Sequence, residues 1–333
     1  MKKELLKVKD LSVSFDTYVG EIQAVRGVSF TIEEGKTLAL VGESGCGKSV
    51  TAQTIMKLNP MPPARIKSGE IILDNIDIIR YKEKEMVKIR GSLVSMIFQD
   101  PMTCLNPTMT LGSQIAETLK AHNNKGVNIK EKVIEMLEMV KISNAKERYK
   151  EYPHQFSGGM RQRVMIAMAL ACSPKLLIAD EPTTALDVTI QAQIMDILSE
   201  LQKNLKTSII LITHDFGIVA DIADHVAIMY AGKIVEKGSC DQIFYNPKHP
   251  YTRSLLKSIP RLDMDRKSSL YSIKGTPPDL FSPPVGCPFA ARCEHCMKIC
   301  LDKYPKEFIV NDGHYSACWL MHKDCVKRYG GDK

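Results

Sequence analysis

Long hydrophobic runs are missing from this sequence, because no apolar stretch approaches the roughly 18 residues that a membrane-spanning helix needs. The chain opens with Met1, Lys2 and Lys3 like a signal peptide. Charge returns at Lys7 and Lys9 before any apolar segment, so we expect no secretion signal. The sequence also has no internal repeat of fixed period and no run of heptads, which argues against a coiled-coil insertion.

A strong excess of one charge is missing too. The chain has 45 Lys and Arg against 38 Asp and Glu, a net charge of +7. Residues 236–333 hold 16 basic and 11 acidic residues, so +5 of this excess lies there. An excess of this size gives no reason to expect nucleic-acid binding. At 333 residues with ordinary composition, the chain is long enough for about two globular domains.

Composition divides the chain near residue 235. Nine of the 17 prolines lie in the last 98 residues, and six of the ten cysteines fall within 39 residues there. The proline pairs at 277–278 and 283–284 exclude long helices around them. We therefore expect residues 236–333 to form a small, loop-rich extension. Such extensions usually need cross-links, such as disulfide bonds or a bound metal, to be stable.

Periodicity indicates an α/β fold for the first part of the chain. Short apolar runs predict buried parallel strands at Thr37–Val41, Leu176–Ala179 and Ser208–Ile212. Apolar residues at helical spacing predict helices from Lys48 to about Leu58, over Ile129–Val140, from near Ser157, and from Val188 to about Leu205. Strands and helices that alternate in this way indicate a largely parallel sheet.

A glycine-rich loop follows the first of these strands. Residues 42–49, GESGCGKS, fit the pattern G-x-x-x-x-G-K-[ST] and lead into a helix. In such a loop backbone N–H groups bind a polyphosphate, Lys48 reaches the β- and γ-phosphates, and Ser49 ligates Mg²⁺. We interpret Cys46 as a small filler. The predicted ATP contacts in this segment are Gly42, Glu43, Ser44, Gly45, Cys46, Gly47, Lys48, Ser49 and Val50.

Two carboxylates end the predicted strand at 176–179. Asp180 is placed to hold Mg²⁺, directly or through water, and Glu181 to polarise an attacking water as general base. An acidic helix cap is the alternative that this pair alone leaves open. The phosphate loop on the same predicted sheet favours the catalytic interpretation.

A further stretch resembles the signature of the ATP-binding subunits of ABC transporters. Residues 156–162, FSGGMRQ, look like LSGGQ, with Phe in place of Leu and with Met160 and Arg161 before Gln162. The resemblance implies a head-to-tail dimer in which this segment contacts ATP held by the opposite subunit. The residues to which it assigns that role are Ser157, Gly158, Gly159 and Gln162.

Single residues match other parts of the family pattern. Gln99 matches the Q-loop, whose amide touches Mg²⁺ and the attacking water. Asp187 matches the D-loop, and His214 the switch histidine that contacts the γ-phosphate. The adenine is expected to stack on Phe15, with Tyr18 as a competitor.

The resemblance also implies a fold and domain boundaries. We expect a P-loop ABC-type ATPase domain over residues 1–235, with a mostly parallel sheet, an antiparallel N-terminal subdomain and a helical subdomain at about 100–172. Residues 236–333 then form the C-terminal extension of the peptide-importer branch. The stretches typical of that branch are 96–107, 152–155, 185–193 and 249–256.

Within that branch, the chain resembles the first of two ATPase subunits of oligopeptide and dipeptide importers. This implies ATP hydrolysis that powers peptide uptake, at the cytoplasmic face of the cell membrane. The implied partners are two membrane-spanning permease subunits, a paralogous ATPase subunit and an extracellular peptide-binding protein. An importer of nickel or a metal chelate is the alternative, and a soluble non-transport ABC ATPase a weaker one.

Four cysteines of the extension, Cys287, Cys293, Cys300 and Cys318, have the spacing C-x5-C-x6-C-x17-C. Four thiolates can close a tetrahedral zinc site or hold an iron–sulfur cluster. The family resemblance favours a [4Fe–4S] cluster, while zinc and no metal stay open. Cys296 lies close enough in sequence to replace one ligand.

Overall fold

The structure, a computed structural model, describes residues 3–122, 128–184, 186–259 and 271–325. Within these ranges the strands are β1 (Glu4–Thr17), β2 (Gly20–Glu33), β3 (Thr37–Val41), β4 (Ala64–Leu73), β5 (Ile76–Asp77), β6 (Val94–Ile97), β7 (Leu176–Asp180), β8 (Ser208–Thr213), β9 (His225–Tyr230), β10 (Lys233–Ser239), β11 (Phe308–Asn311) and β12 (His314–Ser316). The helices are α1 (Lys48–Ile55), α2 (Glu83–Ile89), α3 (Pro101–Cys104), α4 (Leu111–Ala121), α5 (Ile129–Met139), α6 (Ala145–Arg148), α7 (Gly158–Leu170), α8 (Val188–Leu205), α9 (Phe216–Ile222), α10 (Cys240–Tyr245), α11 (Pro250–Lys257) and α12 (Lys298–Asp302).

The chain divides into two compact units, each built from separate segments. The first unit comprises Met1–Leu6, Thr31–Thr37 and Ile72–Ile212. The second comprises Lys7–Phe30, Leu38–Ile71 and Thr213–Lys333. The domain boundary that we expect from the sequence, at residue 235, stays a prediction.

The first unit contains a parallel arrangement of β6, β7 and β8. β7 lies between the other two, and residues of all three strands are buried throughout. Such strands are apolar along their whole length because both faces are covered. Their carboxyl ends meet at one edge, where Asp180 ends β7 and Gln99 follows β6. Helices α4, α5, α7 and α8 pack in the same unit.

The second unit brings the C-terminal region into the same sheet as the strand before the phosphate loop. β3 pairs in parallel with β9, and β10, β12 and β11 continue from β9 in antiparallel order. Val41, Tyr230, Tyr251 and Phe289 share one buried hydrophobic cluster. Strands β2, β1 and β4 lie in that order in a second, N-terminal sheet of this unit.

Several predicted elements agree with the structure, and the α/β fold class is confirmed. Helix α8 and strand β3 have the predicted bounds. Helix α1 ends at Ile55, three residues early, because Lys57 adopts a left-handed backbone with φ 50°. Asn59 then donates hydrogen bonds to the Val50 carbonyl and the Thr54 hydroxyl. None of the described helices has the length and apolar character needed to cross a membrane.

Candidate nucleotide-binding site

The phosphate loop begins at a position that only glycine fits. A Cβ on Gly42 would lie 2.2 Å from the Met229 carbonyl oxygen. Gly47 has φ 100°, and its Cβ would lie 2.4 Å from the Ala24 carbonyl oxygen. The loop therefore packs its own backbone against that of neighbouring segments in the second unit, which fixes its curl.

Lys48 lies inside this curl. Its side chain is 5% exposed, and Nζ donates hydrogen bonds to the carbonyl oxygens of Gly42 at 2.7 Å and Glu43 at 3.0 Å. The ammonium group is thus held by the loop itself, at the position where a polyphosphate is expected. Ser44 and Gly45 are the exposed part of the loop. Two further predicted residues, Ser49 and Val50, are half-buried at the start of α1.

Cys46 is a buried residue of the loop. Burial raises the pKa of its thiol, although nearby Lys48 lowers it in part. A protonated thiol among backbone atoms behaves as a small apolar group. This surrounding fits the packing role that we expect for Cys46.

Three more predicted residues belong to the second unit. Phe15 is half-buried on β1, and Tyr18 is fully exposed in the turn between β1 and β2. His214 is exposed and follows the last residue of β8. The choice between Phe15 and Tyr18 as the adenine-stacking residue stays open.

The two carboxylates to which the sequence assigns Mg²⁺ binding and base catalysis belong to the first unit. Asp180 is buried at the end of β7. Glu181 has a left-handed backbone with φ 47°, and its N–H donates to the Ile212 carbonyl at 2.9 Å. Gln99 Nε2 and Thr184 Oγ1 each donate to Glu181 Oε2 at 2.9 Å. Two donors therefore orient one carboxylate oxygen, and the structure brings Gln99 and Glu181 into direct contact.

The signature residues surround the start of α7, also in the first unit. Ser157 caps the helix by accepting a hydrogen bond from Met160 N at 3.4 Å. Gly159 permits close helix packing, because its Cβ would lie 2.6 Å from Ile190 Cγ2. Gln162 is buried, and among the described residues its Nε2 has no hydrogen-bond partner.

Two other residues of this region are exposed on helix termini. Gly158, the first residue of α7, is exposed and faces the Leu186 side chain at 3.7 Å from an added Cβ. Asp187 is exposed and caps α8 by accepting a hydrogen bond from Ile190 N at 2.9 Å. A capping role explains the position of Asp187 without nucleotide, so its D-loop role stays a prediction.

The four predicted cysteines line one cavity in the second unit. Cys287, Cys293, Cys300 and Cys318 all contribute to its wall, whereas Cys296 is exposed and does not. Burial raises the pKa of all four thiols, to about 12 for Cys287 and Cys318. Across the described parts of the chain, no three His, Cys, Asp or Glu side chains are grouped as ligands of one metal ion.

His249 contributes to the same cavity wall. Its Nδ1 accepts a hydrogen bond from Tyr251 N at 3.1 Å, so the neutral ring carries its proton on Nε2. Burial lowers the pKa of His249 to about 4, against a smaller opposing effect of Glu236. Nε2 has no hydrogen-bond partner within the described ranges. The cavity wall therefore includes a neutral histidine beside four thiols.

Sequence reasoning missed two residues whose side chains hydrogen-bond to Glu43 of the phosphate loop. Arg292 donates two hydrogen bonds to the Glu43 carboxylate, and Tyr251 Oη accepts one from Glu43 N. Both lie within stretches that the sequence singles out, CPFAARC and HPYTRSLL, but neither spacing indicates a partner. Thr184, which donates a hydrogen bond to Glu181, was also missed, because its place in the sequence does not indicate this contact.

Comparisons with known proteins agree with these features. The family model described as ABC transporter matches residues 25–184, and the model of the oligopeptide/dipeptide transporter C-terminal region matches residues 235–300. The oligopeptide transport ATP-binding protein OppD of Bacillus subtilis is 57% identical over 97% of this chain and 90% of its own length. The dipeptide transport ATP-binding protein DppD of the same organism is 57% identical over 96% of this chain and 95% of its own length.

A solved structure shares the fold. The ATP-binding cassette MJ0796, in a dimeric post-hydrolysis state bound to ADP and Pi, superposes with a TM-score of 0.64 and 26% identity. The match covers 71% of this chain and 98% of that one. Together with the full-length relatives, this shows that the chain belongs to the family of ABC transporter ATP-binding proteins, in the branch that carries the oligopeptide/dipeptide transporter C-terminal region.

Proposed function

We propose that this chain is the ATP-hydrolysing subunit that powers uptake of oligopeptides or dipeptides. The observation that carries the proposal is 57% identity to oligopeptide and dipeptide transport ATP-binding proteins over nearly the whole chain. The identity extends into the C-terminal region, whose family model is also named for peptide transport. The held carboxylate of Glu181 supports hydrolysis, rather than nucleotide binding alone.

In the proposed mechanism, the loop at 42–49 binds the phosphates of ATP through its N–H groups. Lys48 exchanges the carbonyls of Gly42 and Glu43 for phosphate oxygens, which are stronger acceptors because they are charged. Ser49, Gln99 and Asp180 are the residues that would hold Mg²⁺, which when bound would offset phosphate charge. Phe15 or Tyr18 stacks on the adenine.

Glu181 then accepts a proton from the attacking water. Gln99 and Thr184 both donate to Oε2 of this carboxylate and so fix its orientation. His214 contacts the γ-phosphate in this scheme. In a head-to-tail dimer, Asp187 and the signature residues act on ATP bound by the partner. Those signature residues are Ser157, Gly158, Gly159 and Gln162.

The proposed partners follow from the same branch. Two membrane-spanning permease subunits hold this chain at the cytoplasmic face of the membrane, a paralogous ATPase completes the dimer, and an extracellular protein delivers the peptide. Peptide specificity then lies in those partners. We propose no nucleic-acid partner.

The test is uptake by cells that produce the complete transporter, with Glu181→Gln and Glu200→Gln compared. Glu200 is an exposed residue on α8, paired with Lys141, and serves as the matched control. We expect Glu181→Gln to abolish uptake of labelled peptides and to slow ATP turnover roughly 1000-fold, with ATP binding retained. If Glu181→Gln abolished nickel uptake and left peptide uptake normal, the nickel alternative would be established. If ATP turnover in Glu181→Gln were undiminished, the role of Glu181 as general base would be contradicted.

We propose further that Cys287, Cys293, Cys300 and Cys318 ligate a [4Fe–4S] cluster. What supports this is that all four cysteines line one cavity whose wall does not include Cys296, although their side chains are not grouped as metal ligands in this conformation. A cation would reverse the raised pKa of the thiols, because thiolates ligate it directly. The N–H of His249 suits a hydrogen bond to anionic sulfur. A cluster, when bound, would supply cross-links in a loop-rich region and a redox-active group.

Iron, sulfide and zinc analysis of protein purified without oxygen tests this assignment. We expect brown absorption and about four iron per chain. One zinc per chain in a colourless protein would replace the cluster by a structural ion. Absence of any metal would return the four cysteines to packing, and would leave the proposed ATPase function intact.

A further inference from the structure

A single arginine joins the cysteine cavity to the phosphate loop. Arg292 precedes Cys293, and its side chain is 5% exposed. Its Nη1 donates to Glu43 Oε2 at 2.7 Å and its Nη2 to Glu43 Oε1 at 3.0 Å. Nη1 also donates to Tyr230 Oη at 3.1 Å. This is the forked geometry in which an arginine holds a carboxylate most firmly.

The backbone of the same loop residue is held from the same region. Glu43 N donates to Tyr251 Oη at 3.0 Å. Tyr251 is buried against Tyr230 and Phe289, with ring centroids 4.5 and 5.3 Å away. His249, two residues before Tyr251, lines the cysteine cavity. Glu43 is therefore fixed at its side chain and at its backbone by residues beside that cavity.

Charge explains why this contact matters for the nucleotide. Glu43 is the second residue of a loop that is expected to bind a polyphosphate, and its carboxylate would repel that ligand. The Arg292 side chain neutralises the carboxylate from a buried position, where screening by solvent is weak. Loss of the guanidinium would leave one unpaired negative charge in the phosphate loop.

We propose that Arg292 is a positioning residue of the nucleotide site, and that through Glu43 it couples ATP binding to the structure of the cysteine cavity. The proposal rests on the proposed ATPase function. It does not require a metal in the cavity, because Arg292 joins the two sites through protein atoms alone.

The first test measures the Kd of MgATP for the full chain by equilibrium binding. We expect Arg292→Gln to weaken binding about tenfold and Arg292→Lys to weaken it less. Glu43→Gln combined with Arg292→Gln should recover most of the affinity, because no unpaired carboxylate remains. Arg253→Gln is the matched control, since the side chain of exposed Arg253 donates to the Pro247 carbonyl and not to a described residue of the phosphate loop.

Two outcomes of this test would overturn the charge argument. One is an Arg292→Gln protein that binds MgATP within about twofold of wild type. The other is a double variant as weak as Arg292→Gln alone, since a purely structural defect would not be repaired by removing Glu43. Thermal unfolding of each variant shows that the chain is folded, and Arg292→Lys keeps the test valid if Arg292→Gln does not fold.

The second test uses the reciprocity of coupling: if the cavity acts on ATP binding, ATP acts on the cavity. Alkylation of each cysteine by iodoacetamide is followed by peptide mapping, in reduced, chelator-treated protein. We expect MgATP to slow modification of Cys293 about fivefold in wild type and not in Arg292→Gln. Mapping separates this effect from direct protection of Cys46.

The outcomes separate the coupling from the function on which it rests. Wild type that does not bind MgATP at all would remove the proposed ATPase function. Wild type that binds MgATP with no change at Cys293, or an equal change in Arg292→Gln, would refute the coupling alone.

Discussion

The segments that form the phosphate loop and the cysteine cavity each start with a glycine packed closely against another backbone. A Cβ on Gly42 would lie 2.2 Å from a carbonyl oxygen of Met229, and a Cβ on Gly286 would lie 2.2 Å from that of Cys300. Each glycine allows one backbone to pack directly on another, and buried cysteine follows in both segments. They differ in how the functional groups are supplied. The loop carries its groups in eight consecutive residues, whereas the cavity collects its wall from residues between 249 and 320.

This difference decides what can be learned from sequence. A contiguous loop specifies both its shape and its ligand, because glycines, lysine and hydroxyl stand at fixed offsets along one chain. For a cavity built from dispersed residues, the side chains that meet can be identified only once the fold is known. Its ligand then depends on distances between side chains, and the spacing of residues along the sequence does not give those distances.

Gly42→Ala tests the loop half of this comparison and should have the largest effect. Its methyl group must displace the Met229 backbone, so we expect the Kd of MgATP to rise about 100-fold or more. Equilibrium binding of labelled ATP measures this. A change below about threefold would show that the loop adjusts to a side chain at position 42.

Gly286→Ala tests the cavity half. We expect it to lower the free energy of unfolding by about 3 kcal/mol, measured in urea, and to speed alkylation of the four cavity thiols. ATP affinity should fall less than tenfold, because the change reaches the loop indirectly, through the residues that hold Glu43.

Gly313→Ala is the control for backbone strain without overlap. Gly313 has φ 72° and nothing within 4 Å of an added Cβ, so we expect a cost of about 1 kcal/mol. Gly286 has no left-handed backbone, so a Gly286→Ala loss no larger than that of Gly313→Ala would show that a small backbone shift relieves the overlap with the Cys300 carbonyl oxygen.

Most of the fold could be predicted because its signals are local. Strand β3 and helix α8 have the bounds that their apolar patterns predict. Helix α1 ends early at a left-handed lysine, which no propensity indicates. The pairing of β12 with β10 was not predictable, since it joins residues about 80 positions apart.

The candidate site divides in the same way. Gln99 and Glu181, 82 positions apart, could be paired only through the family resemblance, and the structure brings them to 2.9 Å. Arg292 and Glu43 are 249 positions apart, and no motif links them. Such contacts depend on how the elements pack, so the sequence alone does not contain them in readable form.

A fall in pH should lower the stability of the cavity region more than that of the phosphate loop. His249 is buried and neutral, with a pKa lowered to about 4, whereas the unfolded chain takes up a proton near the ordinary value of 6.5. Between these values the unfolded state binds more protons, so stability rises with pH. From pH 7 to pH 5 we expect a loss of about 2 kcal/mol, measured by urea unfolding.

His249→Asn supplies the control for this pH dependence. His249 is the N-cap of α11. Asparagine is also a good helix cap and can accept the hydrogen bond from Tyr251 N, but it does not titrate. The variant should therefore unfold with a flatter pH dependence than wild type. Equal slopes for the two proteins would assign the effect to other groups.

Cys46→Ala should have the smallest effect, and it compares one cysteine of the loop with those of the cavity. Cys46 is buried, and its raised pKa keeps the thiol protonated, so alanine removes only packing. We expect about 1 kcal/mol less stability and a Kd of MgATP within about threefold of wild type. Cys318→Ser, in contrast, removes a proposed cluster ligand from the cavity. It should lower the metal content of protein purified without oxygen. A tenfold loss of ATP affinity in Cys46→Ala would mean that this thiol positions Lys48, whose Nζ lies 3.8 Å from the sulfur, and does more than fill space.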